Sequence, residues 1–140
     1  MIIIGIDPGY AIVGYGVIRA QSGRYQPLDF GAITTPAGME FGQRLVRIYE
    51  ETKLLLAKCR PEAMSLERLY FQTNKTTAIG VAEARGVILL AAQQSGVPVF
   101  EYTPLQIKQA EMTDDVALLK LQQHSHRPSH APSNRLRPQP

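Results

Sequence analysis

The sequence predicts an α/β domain, and three observations carry that prediction. The chain opens on Ile2-Ile3-Ile4-Gly5-Ile6, an unbroken apolar run rich in β-branched residues. Such a run reads as a strand buried on both faces at the centre of a sheet. Two more strand-like segments follow, joined by links too short for a crossover, which favours an antiparallel meander. From about Met39 the apolar period changes to three and four residues, and helical and strand patterns then alternate. Three strands followed by helix–strand–helix–strand–helix imply a five-stranded mixed sheet flanked by helices.

Each element has its own signals. The first strand stops at Asp7-Pro8-Gly9, because proline cannot donate to a ladder and glycine takes turn conformations readily. Ile12 to Ala20 is the second strand, Gln21-Ser22-Gly23-Arg24 a turn, and Tyr25 to Thr35 the third strand. Leu45, Ile48, Tyr49, Thr52, Leu55, Leu56 and Cys59 recur on one face of a helix running from about Met39 to Cys59. Arg60-Pro61 stops it. Ala63-Met64-Ser65-Leu66 is a short fourth strand leading into Glu67, and residues 68–74 read as a loop. Thr76 to Ser95 is a second helix closed by Gly96. Its stretch from Gly86 to Ala92 is apolar on all sides, so one face packs on the sheet and another is available to a second subunit. Val97 to Phe100 is the fifth strand, with Pro98 pointing to a sheet edge. Thr103-Pro104 has the N-cap and first-turn pattern of a further helix through Gln109.

Composition excludes several classes. With 140 residues, 44% of them hydrophobic and 19% charged, the chain is one ordinary globular domain. It has no stretch long and apolar enough for a membrane span. Its N-terminus begins with a strand and lacks a basic region before an apolar one, so no signal peptide is expected. The single cysteine, Cys59, excludes an internal disulfide and fits a cytoplasmic location, where it reads as a small packed apolar residue. The formal charge of +3 comes from Arg127, Arg135 and Arg137; without them the body holds 12 basic and 12 acidic residues. Any phosphate-binding surface must therefore be a local patch. Residues 122–140, rich in His, Ser, Pro and Arg, read as a disordered tail, and His124, His126 and His130 as part of it and not as metal ligands.

Two acids stand out. Asp7 ends the first strand and Glu67 the fourth. Asp7 alone reads equally well as the cap of its own turn and as a functional carboxylate. If the two strands are parallel neighbours, their ends lie about 5 Å apart, in the crevice where open α/β sheets hold ligands. Two converging carboxylates repel unless a cation lies between them. Oxygen donors suit Mg²⁺ or Mn²⁺, and acids with such a metal activate water on a phosphodiester.

Several short motifs, in order, give the chain a resemblance. They are Gly5-Ile6-Asp7-Pro8-Gly9 with Gly14-Tyr15-Gly16-Val17, Leu66-Glu67-Arg68-Leu69-Tyr70-Phe71, and Ala84-Arg85-Gly86-Val87. Pro98-Val99-Phe100-Glu101-Tyr102-Thr103-Pro104 and Gln106-Ile107-Lys108-Gln109 complete the set. Nearly continuously from Met1 to Ala110, the chain resembles the RuvC-type Holliday-junction resolvases. The resemblance implies a ribonuclease-H-like fold over residues 1–121. It also implies a homodimer, Mg²⁺-dependent nicking of four-way junction DNA in recombination and repair, and a branch-migration motor complex as a further partner. Asp7 and Glu67 match the family's first two metal-binding acids. Tyr70 matches an aromatic near the junction bases, and Lys108 a lysine on phosphate. Arg68 and Lys75 flank the same loop and are further candidates for phosphate contact. Alternatives stand beside these: Tyr70 folded onto the core, and Lys108 on a solvated helix face.

Beyond Ala110 the chain departs from the family pattern, with a shortened and divergent end. Asp115, in Asp114-Asp115-Val116-Ala117, matches the third metal-binding acid and reads equally as part of an acidic helix start. Leu118 stands where a fourth acid is expected. Two readings of function follow: an active junction endonuclease, or a DNA-binding, dimerising remnant that cuts weakly or not at all.

Overall fold

A computed structural model of the chain describes residues 1–69 and 75–102, with the side chain of Lys75 excepted. The expected helix over 103–109, the expected tail over 122–140, and Tyr70, Lys108 and Asp115 lie outside the described residues.

The element order is β1 (Ile2–Asp7), β2 (Ile12–Gln21), β3 (Arg24–Thr34), α1 (Phe41–Cys59), β4 (Ala63–Glu67), α2 (Lys75–Gln94) and β5 (Val99–Tyr102). The strands form a mixed sheet in the order β3-β2-β1-β4-β5, with β1 at its centre. β1 pairs antiparallel with β2, and β2 antiparallel with β3. β4 and β5 extend the sheet on the other side of β1 by parallel pairing. The order follows from the links: short turns join the meander, whereas the parallel strands each need a helical crossover.

Local chemistry sets the boundaries. The β2–β3 turn takes positive φ at Ser22 (52°) and Gly23 (72°), a pair of values suited to the twist of a tight hairpin. Arg60 ends α1 at φ 46°, with its N–H on the Leu56 carbonyl at 2.9 Å; Pro61 behind it disfavours a further helical residue. Gly96 ends α2 at φ 68°. The fifth strand starts two residues later than the sequence suggests and runs on through Glu101 and Tyr102. Pro98 has no N–H for the ladder, yet its carbonyl accepts from Met64 at 2.9 Å, so it leads into an edge strand from outside.

Both described helices pack on the same face of the sheet. Ile4 and Ile6 of β1, Met64 and Leu66 of β4, Ile48 of α1 and Ile88 of α2 are fully buried in one cluster. Side chains alternate along a strand, so Ile3, Gly5 and Asp7, like Ala63, Ser65 and Glu67, belong to the opposite face. Along α2, Ala84, Ile88, Ala91 and Ala92 are buried while Ile79, Gly86 and Leu90 are exposed. Among the described residues, only one side of this apolar helix is covered. Among the described residues, no helix is long and apolar enough to cross a membrane.

Candidate metal centre

β1 and β4 are parallel neighbours, with Ile6 opposite Leu66. Asp7 and Glu67 each follow the last paired residue, so they occupy equivalent positions at adjacent strand ends. Neighbouring strands lie about 4.8 Å apart, and alternation sends both side chains to the face away from the helices. Both residues are half-buried. The register thus sets Asp7 and Glu67 at neighbouring strand ends.

The turn after Asp7 is tightly specified. A Cβ on Gly9 would lie 2.3 Å from the Ile12 carbonyl oxygen, so only glycine fits. Tyr10 then anchors the loop. Its ring meets Phe41 edge-on at 5.8 Å, and the Arg44 guanidinium lies 5.9 Å from its centroid. Thr35 Oγ1 donates to the Tyr10 carbonyl at 2.6 Å, and Arg44 Nη1 donates to Thr35 Oγ1 at 3.0 Å. Gly80 of α2 leaves room for the Tyr10 ring, since a Cβ there would approach it to 2.9 Å. Tyr10 and Arg44 escape a reading by sequence motif because their partners come from three separate elements.

A charged cluster adjoins Glu67. Arg85 of α2 donates through Nε to the Glu67 carbonyl at 3.2 Å, and its Nη2 lies 2.8 Å from Glu101 Oε1. Arg68 Nε donates to the other Glu101 oxygen at 3.2 Å. The guanidinium groups of Arg85 and then Arg68 hold the Glu101 carboxyl below its ordinary pKa. Arg68, expected as a phosphate contact, thus forms an ion pair while its side chain remains 60% exposed. Lys75 begins α2. At the opposite end of α1, burial and then the charge of Asp29 push the Cys59 thiol pKa up, which fits a packing role and not a nucleophile.

The donor chemistry at Asp7 and Glu67 is oxygen only, which fits a hard divalent cation and not a zinc site of thiolates and imidazoles. Among the described residues, no group of three or more acidic, His or Cys side chains is clustered for a metal.

Comparison with known proteins agrees with this architecture. The model of the family described as crossover junction endodeoxyribonuclease RuvC matches residues 3–126. The RuvC protein of Ruminiclostridium cellulolyticum is 52% identical over 110 residues, 79% of this chain and 66% of that protein. That of Brevibacillus brevis is also 52% identical, with the same shares covered. The chain thus spans just under two thirds of the length of these curated relatives. Among solved structures, Thermus thermophilus RuvC in complex with a Holliday junction substrate has a TM-score of 0.77 at 32% identity, covering 93% of this chain and 85% of that one. The yeast mitochondrial Holliday junction resolvase shares the fold alone, with a TM-score of 0.60 at 11% identity and coverage of 84% and 60%. The fold is the ribonuclease-H-like one.

Proposed function

Since this chain belongs to the RuvC family of crossover junction endodeoxyribonucleases, we propose that it nicks four-way DNA junctions by metal-dependent phosphodiester hydrolysis, in recombination and repair. The observation that carries the reading is the pairing of β1 with β4, which sets Asp7 and Glu67 side by side on the sheet face away from the helices.

Asp7 and Glu67 hold Mg²⁺, with Mn²⁺ as a substitute, and Asp115 is the proposed third acid. The bound cation supplies Lewis acidity toward the scissile phosphate and the incoming water. Water adds to phosphorus and the strand oxygen leaves with a proton. The protein's part is to fix the two carboxylates. β1 sits at the centre of the sheet and the Tyr10 anchor holds the turn, so little reorganisation accompanies the reaction. Tyr70 is assigned to stacking on an exposed junction base. Lys108, Lys75 and Arg68 are assigned to phosphate; the ion pair of Arg68 engages its Nε.

The chain acts as a homodimer in this reading, because junction resolution needs two opposed nicks. The exposed side of α2, with Ile79, Gly86 and Leu90, supports that assembly. Residues 1–121 form the nuclease domain and 122–140 a disordered tail. A branch-migration motor is a further partner, and the cytoplasm is the proposed location. No finding favours the non-cleaving remnant over the endonuclease.

The test is cleavage of a synthetic four-way junction in excess Mg²⁺ or Mn²⁺, with linear duplex and EDTA as controls. Paired nicks in the junction alone support the proposal. Junction binding without any nick in either metal overturns it in favour of the remnant.

A further inference from the structure

Arg85 stands directly before the apolar stretch Gly86–Ala92 of α2. Arg85 lies between Ala84, which is fully buried, and Gly86, and its side chain is only 14% exposed. A guanidinium so placed is costly unless its donors are used and its charge is met. The charge is met by Glu101, whose Oε1 lies 2.8 Å from Nη2 as an ion pair without hydrogen-bond geometry, and Nε donates to the Glu67 carbonyl at 3.2 Å.

The second contact bears on the carboxylate pair. The peptide unit between Glu67 and Arg68 has two polar groups, the Glu67 carbonyl and the Arg68 N–H. Arg85 takes the first, and the Tyr102 carbonyl accepts from the second at 2.8 Å. With both groups engaged, the plane of that unit is pinned, and with it ψ of Glu67. Ala84 and Ile88 anchor the helix in the core on either side of Arg85, so the guanidinium projects from a rigid base. Glu101 in turn is gripped by two guanidinium groups, from Arg85 and Arg68. A planar fork meeting a carbonyl and a carboxylate at once is a task for arginine and not lysine.

We propose that Arg85 is a positioning residue for Glu67. Tied to Glu101, it fixes the peptide from which the Glu67 carboxylate springs, and so sets the angle at which that carboxylate meets Asp7 and a shared cation. This rests on the reading of Asp7 and Glu67 as a cation-binding pair.

The test is Mn²⁺ binding by calorimetry on the full chain without DNA, beside thermal melts. Arg85→Lys keeps the charge and loses the fork. Its Mn²⁺ dissociation constant is expected to rise by about tenfold or more, as for other residues that orient metal ligands, with cooperative melting retained. Glu101→Gln keeps the arginine and removes its charged partner, and shifts affinity in the same direction; it carries the test if Arg85→Lys does not fold. Wild-type affinity in a folded variant of each kind overturns the positioning role alone. A wild-type chain that takes up no Mn²⁺ at millimolar concentration overturns the cation pair itself, and the positioning role with it.

Discussion

Single residues at the end of β1 decide what the site can do. Replacing Asp7 by Asn keeps the size of the side chain and removes the charge proposed to bind a cation. Cleavage of a four-way junction is expected to fall by on the order of a hundredfold or more, while gel-shift affinity for the junction changes little. Normal cleavage by this variant would remove Asp7 from the site. Two residues further on, Gly9→Ala acts through the backbone. Its Cβ would stand 2.3 Å from the Ile12 carbonyl, so the turn must open, at about 1–3 kcal/mol in urea unfolding. The Asp7 carboxylate moves with it, and metal-dependent cleavage is expected to drop alongside stability. Glu101 is a case of linkage. Its pKa in the folded chain is depressed, by Arg85 first and Arg68 second. Its contribution to stability is therefore present above the ordinary carboxylate pKa and lost as pH falls through the lower, folded value. Glu101→Gln should flatten the acid side of the stability profile and leave the neutral side parallel to wild type. An unchanged acid limb would show that the two guanidinium contacts do not persist in solution.

At the level of elements, the sequence gives clear signals where one period dominates. The isoleucine run of β1, the three-and-four spacing in α1 and the Asp7 and Glu67 strand ends are all visible in the chain, because burial imposes their pattern. What is not visible is relational. Nothing in the periodicity says that both helices share one sheet face and leave the acids on the other. The start of β5 is misplaced by two residues because Val97-Pro98 is apolar without pairing as strand, and so Glu101 looks like loop when it is ladder. Arg85 is hidden for the same reason: its carboxylate partner lies on a strand whose extent the sequence does not show. For α2 the apolar-all-round pattern is legible, and the fold divides it into a buried stripe and an exposed one. Gly86 lies on the exposed side, and a Cβ there would meet nothing within 4 Å. In an isolated monomer, Gly86→Leu should improve helix propensity by several tenths of a kcal/mol with no clash. At a close helix–helix contact between two copies, the same change obstructs packing. Sedimentation is expected to show a wild-type dimer at micromolar concentration and a folded, monomeric Gly86→Leu variant. A wild-type monomer would count against dimerisation through this helix.

The whole molecule is built so that its central strand ends in charge, and that couples the site to global stability. Two ionised carboxylates held at a strand spacing of about 5 Å, with no other charge beside them, would repel by about 3 kcal/mol at an effective dielectric near 20, a large share of the 5–15 kcal/mol typical of a domain. Asp7 lies on β1, which pairs with both β2 and β4, so this repulsion opposes the pairing at the heart of the sheet. A cation that binds both carboxylates in the folded state and neither pairwise in the unfolded chain must then stabilise the fold by mass action. At a hundredfold excess over its dissociation constant the gain is about 2.7 kcal/mol. For a chain of this size that corresponds to about 2–4 °C of melting temperature per kcal/mol. The expected outcome is a rise of several degrees on adding Mg²⁺ or Mn²⁺ to chelator-treated protein, reversed by EDTA and absent with the same ionic strength of Na⁺. Asp7→Asn relieves the repulsion and abolishes the binding at once, so its melting temperature without metal should equal or exceed that of wild type, and its response to Mg²⁺ should vanish. A metal response that survives in Asp7→Asn would place the cation elsewhere. An Asp7→Asn chain that melts well below metal-free wild type would show that the carboxylate serves chiefly to hold its own turn.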